Sequence, residues 1–320
     1  MKLIVHILLI LGLVAMQQDC NASPLENAKN KDLMKKFTNI YEASGVQQIS
    51  DGRVVVIEDE RSTSINHVLS FETAASLSEE SLQFDPQSSQ SKSMLNDLEG
   101  ITIDANDNLF AITSFSRNKK GKLKQNRERL ARFKIKDNLI ADLKTFDDLG
   151  ADIRSKMGVQ NINIEAISFD ATGSKLLIGF REPVVDEKSL IVVLENPNAI
   201  FDNKEKPIFS DHTVQLDLNG GGIRALDYDK NLRGFIIVNE IKNSKGKLRA
   251  RFWLWSGNAG DTPRKINIPG FENIKNIEGI TSVNINGESF LLIVSDDGKI
   301  NKQKGSHYAL LRYDQILLEK

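Results

Sequence analysis

Residues Asn163–Pro183 read NIEAISFDATGSKLLIGFREP: a short strand (Ile164–Phe169), a tight turn (Asp170–Gly173) and a second strand (Lys175–Phe180). Apolar, β-branched runs on either side of Asp, Thr, Gly and Ser fold back as a hairpin, because those turn residues tolerate the required backbone angles. Glu165 stands at the start of the first strand, and Arg181-Glu182 close the second. The same phrase recurs as SGVQQISDGRVVVIEDE (Ser44–Glu60), DLEGITIDANDNLFAITSFSR (Asp97–Arg117), GGIRALDYDKNLRGFIIVNE (Gly221–Glu240) and NIEGITSVNINGESFLLIVSDDG (Asn276–Gly298).

The copies begin near residues 44, 98, 164, 222 and 277, a period of roughly 55–65 residues. Each is followed by two further apolar segments, among them Leu130–Ile135, Ser189–Leu194 and Leu248–Trp255. Four short strands per repeat predict the blades of an all-β propeller with five blades; a sixth, degenerate blade is the alternative. Helical solenoids are excluded by the β-branched runs, and a β-sandwich does not explain five copies of one motif. In the first unit, His67–Phe71 and a weaker segment at Leu82–Phe84 read as outer strands; after the strands of the second, Phe146–Gly158 reads as a short inserted helix. The last unit lacks an outermost strand, which Met34–Tyr41 is expected to supply, removing the open edges of a linear array.

The chain has 320 residues and a formal net charge of -1, which argues against nucleic acid or an anionic membrane surface as partner. Lys2 followed by the apolar run Leu3–Met16 reads as a cleavable signal peptide over residues 1–22, with cleavage after Ala22. A lipoprotein reading of Cys20 is the alternative, although Asp19 stands where a lipobox has a small apolar residue. Residues 23–36 read as a flexible lead-in and 37–320 as the propeller. No later segment has the length of a membrane helix. The expectation is a secreted or periplasmic monomer without a disulfide.

In an antiparallel hairpin the start of strand one lies beside the end of strand two. In a propeller both lie at one mouth of the central channel. The first set is Ser44, Glu99, Glu165, Arg224 and Glu278. The second is Asp59-Glu60, Ser114 to Arg117, Arg181-Glu182, Asn239-Glu240 and Asp296-Asp297. Acids gathered around one axis need answering charges. Arg117, Arg181 and Arg224 are internal answers that would close an ion-pair ring. A divalent cation such as Ca²⁺ on Glu99, Glu165, Glu278 and Asp296 is the other, since hard cations take carboxylate oxygens. Glu60, Arg117, Glu182, Glu240 and Asp297 are then candidates to contact a small polar or anionic ligand. His67, His212 and His307 show no zinc spacing, Ser44, Ser114 and Ser116 sit in no nucleophile elbow, and no nucleotide or redox cofactor is indicated. Trp253 and Trp255 fall on alternate positions of one outer strand, as inter-blade packing would require.

On SGV with EDE, DLEGI with SFSR, NIEAISFDATGSKLLIGFREP, GGIRALDYD and NIEGI with SDDG, the chain resembles the family called domain of unknown function 3616. That resemblance implies an exported β-propeller and no defined activity. Ala166 stands where the EGI units carry Gly. More distantly, the repeated EGI starts are similar to esterase-like phytase propellers and calcium-dependent nucleotidase propellers. This implies Glu99, Glu165 and Glu278 as metal or water-positioning ligands and Arg181 and Arg224 as phosphate clamps, with Glu165, Arg181 and Arg224 catalytic. Two functions therefore stand as expectations: ligand binding at the channel mouth with metal-assisted phosphoester hydrolysis, or a non-catalytic propeller that binds protein or glycan at the cell surface.

Overall fold

The computed structural model describes residues 33–59, 65–85, 95–118 and 120–319. The signal-peptide expectation, most of the lead-in and Glu60 lie outside these residues. Numbered along the chain, β1 (Lys35–Lys36) precedes the first blade, which is β2 (Ala43–Gln48), β3 (Val54–Glu58), β4 (Ile65–Thr73) and β5 (Ser76–Ser81). After β6 (Gln83–Phe84) comes blade 2: β7 (Leu98–Ile103), β8 (Leu109–Thr113), β9 (Leu130–Lys136) and β10 (Leu139–Phe146). Blade 3 is β11 (Asn163–Phe169), β12 (Leu176–Glu182), β13 (Lys188–Leu194) and β14 (Val214–Asp217). Blade 4 is β15 (Ile223–Asp229), β16 (Gly234–Lys242), β17 (Leu248–Trp255) and β18 (Arg264–Asn267). Blade 5 holds β19 (Ile277–Ile285), β20 (Glu288–Ser295) and β21 (His307–Arg312), and β1 pairs antiparallel with β21 as its outermost strand. The fold is a five-bladed β-propeller, and the N-terminal strand closes its last blade.

Both faces of every blade are buried, which is why the second strands read as unbroken apolar runs instead of alternating ones. Val54 and Val56 pack toward blade 5, whereas Val55 and Ile57 pack toward blade 2. The buried side chains fall into five clusters, one at each interface between neighbouring blades. Trp253 and Trp255 belong to the cluster between blades 3 and 4. The helix expected in the second unit is α1 (Leu149–Met157), ended by Gly158 in the left-handed conformation (φ 66°). Among the described residues no helix is long and apolar enough to cross a membrane.

The ring is fastened by more than the short β1. Phe37 N–H donates to Ser306 O (2.9 Å) and Ser306 N–H to Ile40 O (2.8 Å), while the Ser306 hydroxyl donates to Tyr41 O (2.6 Å). On the other side, the Glu79 carboxylate accepts the N–H groups of Thr38 and Asn39, both at 2.7 Å. The segment thus straps blade 5 to blade 1.

Two edge strands differ from the sequence expectation. Leu82–Phe84 does not complete blade 1: β6 pairs in parallel with β10 and widens blade 2. The fourth strand of blade 1 is instead SLSEES (Ser76–Ser81), whose polar, exposed composition carries no strand signal. A final strand, β22 (Leu317–Leu318), pairs with β18 at the rim of blade 4.

At the axis, β2, β7, β11, β15 and β19 pack each against the next. Their closest approach explains the Gly of the EGI phrase. A Cβ on Gly279 would lie 2.5 Å from Val294 Cγ2 and 3.1 Å from Gly45 Cα, and one on Gly100 would lie 2.9 Å from the Ile167 nitrogen. Substitution Gly279→Val is therefore expected to destabilise the domain by about 1–3 kcal/mol through overpacking. Gly260→Ala, where an added methyl meets nothing within 4 Å, is the control. Chemical denaturation of the two variants checks this; equal midpoints would show that the axis is not close-packed.

Candidate functional site at the channel mouth

Every inner hairpin carries a β-bulge at one position. The register slips between Ala43 and Gly45, Leu98 and Gly100, Ile164 and Ala166, Ile223 and Ala225, and Ile277 and Gly279. The extra residues are Ser44, Glu99, Glu165, Arg224 and Glu278. A bulge frees one residue from the ladder and re-aims its side chain, and here five equivalent bulges place five side chains around one mouth. All five residues are buried. From Glu99, Glu165 and Glu278 down to Ile101 and Leu226 the channel encloses only about 10 Å³, scarcely enough for one water.

Half of this ring neutralises itself. Arg224 lies between two acids, pairing through Nη1 with Glu165 and through Nη2 with Glu278. Its Nε is 4.0 Å from Glu240 Oε2, and Glu240 Oε1 accepts the Asn276 N–H (2.5 Å). Arg181 Nη1 donates to Glu165 Oε1 (2.7 Å) while its side chain stays 46 % exposed. Arg181 borders a shallow hollow of about 530 Å³ with Asn161, Glu182, Val184 and Gly222. Among Arg127, Arg181 and Arg224 it is the most exposed guanidinium.

The other half is acidic. Carboxylate oxygens of Asp59, Asp97 and Glu99 lie within 4.8 Å of one another. Asp97 takes a left-handed backbone (φ 67°), its N–H donates to Asp59 O (3.2 Å), and its carboxylate is held by Arg127 and the Ser114 hydroxyl. Glu99 is only 9 % exposed, and no hydrogen bond or ion pair reaches its carboxylate among the described residues. Burial pushes the Glu99 carboxyl well above its usual 4.5, and the charges of Glu165, Asp59 and Asp97 push the same way. Burial is also the main cause raising Glu165, against the opposing pull of Arg224 and Arg181. Counting Asp59, Asp97, Glu99, Glu165, Glu240 and Glu278 against Arg127, Arg181 and Arg224, acids outnumber bases two to one among the described residues. An all-oxygen donor set of this kind suits a hard divalent cation.

The remaining residues named from the sequence sit at the rim. Arg117 donates to Asn161 Oδ1 (2.8 Å) and Gly121 O (3.1 Å), which fixes it between blades 2 and 3. Glu182 is exposed. The Asp297 carboxylate takes His307 Nδ1 (2.7 Å) and the Ser295 hydroxyl (2.8 Å), so it serves blade 5 itself. Asp296 is half-buried. The carboxylate cluster thus unites Glu99 with Asp59 and Asp97, whereas Glu165 and Glu278, read from the sequence as its companions, are committed to Arg224. Asp97 escaped the site reading because it precedes the strand. Its signal is the Asp-Leu-Glu spacing, which puts an acid two residues ahead of the bulge. The Ser44 hydroxyl donates to Leu98 O (2.6 Å) and the Ser114 hydroxyl to the Asp97 carboxylate.

No protein-family model matches the chain, and no curated protein is similar to it in sequence. Solved structures do match in fold. An α-L-arabinofuranosidase of Podospora anserina is 11 % identical over 90 % of this chain and 94 % of that one, with a TM-score of 0.47. A thermostable family-43 glycoside hydrolase is 13 % identical over 88 % and 94 %, with a TM-score of 0.48. A glucose dehydrogenase is 9 % identical over 87 % and 99 %, with a TM-score of 0.44. Similarity of this degree concerns the propeller fold alone.

Glu99 gives a stability test. Its folded pKa lies above the unfolded value, so ionised Glu99 destabilises the fold increasingly as pH rises through and above 4.5. Glu99→Gln is expected to be more stable than wild type at pH 7, by about 0.5–2 kcal/mol, and equal to it near pH 4. Denaturant melts at the two pH values check this. A variant less stable than wild type at pH 7 would show that Glu99 is satisfied within the fold.

Proposed function

We propose that this is an exported propeller that binds a small anionic ligand at the acidic mouth through a divalent cation. The observation that carries the reading is the buried Glu99 carboxylate, unanswered beside Asp59 and Asp97 while the neighbouring acids share Arg224. An anion alone is repelled by this mouth. A cation on Asp59, Asp97 and Glu99 relieves the carboxylates and presents positive charge to the ligand, with Arg181 across the opening as a second anchor. The N-terminal sequence supports export, and the resemblance of the EGI starts to phosphoesterase propellers supports a phosphate ester as ligand. Bound there, Ca²⁺ or Mg²⁺ would polarise a phosphoryl oxygen and acidify a water. The chain's own residues hold the cation, orient the ester through Arg181 and keep Glu165 and Glu278 neutralised by Arg224. A non-catalytic reading has one observation in its favour: Arg224 and Glu165 are already paired with each other, and Arg224 with Glu278.

Calorimetric titration with Ca²⁺ tests the site. Wild type is expected to bind stoichiometrically, and Glu99→Gln to lose at least about tenfold in affinity. With Ca²⁺ present, Arg181→Ala is expected to weaken inorganic phosphate by roughly 10–100-fold without changing Ca²⁺ affinity. A panel of phosphate esters with and without chelator separates the two readings, since chelator-sensitive turnover requires the catalytic one. Absence of Ca²⁺ and Mg²⁺ binding would overturn the proposal.

A further inference from the structure

The opposite end of the channel is also built from five equivalent positions. Three residues beyond each bulge stand Gln47, Thr102, Ser168, Asp227 and Thr281, which together form the floor of a chamber of about 570 Å³. Its walls are the five turns that join each first strand to its second. The channel constriction of about 10 Å³ lies between it and the acidic mouth. Some floor residues latch neighbouring blades: Thr102 Oγ1 accepts the Phe169 N–H (3.2 Å) and Ser168 Oγ the Tyr228 N–H (3.0 Å). The volume falls in the range of small-molecule sites.

We propose that this chamber binds a small organic cation, an aliphatic amine seated on Asp227. The charge of the lining carries the inference. Among the described residues, Asp104, Asp107, Asp170 and Asp227 line the chamber against a single cation, Lys230, so anions are repelled and an ammonium is drawn in. Asp104 and Asp170 are spent as acceptors within their turns, Asp104 toward Asn106 and Asn108 and Asp170 toward Ser174 and Lys175. Asp227 is the carboxyl at the floor. On its own strand it faces Asp229, which is saturated by Leu232 N–H and by the Ser282 and Tyr313 hydroxyls. Asp227 already accepts hydrogen bonds from the Thr281 hydroxyl and from the Ser282 and Tyr228 N–H groups, and no cation answers its charge among the described residues. Burial pushes its carboxyl up to about 7, against the pull of the Thr281 hydroxyl and the two N–H groups and with a smaller push from Asp229. An ammonium supplies the counter-charge that the floor lacks, which a neutral polyol does not.

Isothermal titration of the full-length mature protein with putrescine tests the inference, with glucose and inorganic phosphate as comparison probes. Saturable putrescine binding is expected, tightening about tenfold between pH 6 and pH 8 as Asp227 ionises. Asp227→Asn is expected to weaken it at least tenfold and to flatten the pH profile. Asp107→Asn, a rim change at a left-handed position (φ 58°) that asparagine tolerates, is expected to weaken it about twofold and keeps the test valid if the floor variant misfolds. Absence of putrescine binding, equal affinity in wild type and both variants, or saturable glucose binding with putrescine silent would overturn it.

Discussion

The constraint on which this protein is built is the meeting of five β-hairpins at one axis. Inner strands that approach within van der Waals contact leave no room for a Cβ at several positions, and Gly45, Gly100 and Gly279 meet that limit where Ala166 and Ala225 meet it with a methyl. One residue earlier, each strand bulges. The bulge is what makes a wheel of identical units into a site: it turns one side chain per blade out of the ladder toward the mouth. Close packing below and re-aimed side chains above are thus one device repeated five times.

Chemistry enters because the five bulge positions are not alike. Ser44 is turned into the fold, Arg224 is shared by Glu165 and Glu278, and Glu99 stands with Asp59 and Asp97. A buried ion network of this kind is poor evidence of stability for its own sake, since desolvation cancels much of the attraction. Its arrangement is instead informative through its asymmetry. Blades 3 to 5 hold an ion-paired cluster around Arg224 and Arg181, and blades 1 and 2 hold Glu99, whose carboxylate no ion pair reaches among the described residues. If the proposed cation binds here, the fold is destabilised until it arrives, a relation expected wherever function opposes stability.

The propeller was legible because its signals are local and repeated. Alternation is absent from VVVIE, LLIGF and GFIIV because both faces are buried, yet the turn residues and the period of five units suffice to specify blades. The closing strand was legible too, from an edge left open in the last unit. What sequence could not show was pairing without pattern: SLSEES forms an exposed strand, and Gln83–Phe84 and Leu317–Leu318 join sheets by two residues each. The mouth residues were readable as a set, since strand starts and ends converge by geometry. Their partition was not. Which acids Arg224 claims, and which side of the ring is left to Asp97, depends on side-chain reach across blades distant in sequence.

The most direct measurement is the carboxyl ¹³C titration of Glu99 in the folded protein, with and without Ca²⁺. An acid-rich mouth lacking one counter-charge requires a midpoint well above 4.5 in the metal-free protein and a large downward displacement when Ca²⁺ is added. A midpoint near 4.5 that ignores Ca²⁺ would contradict the account, because the mouth would then be balanced by the protein alone.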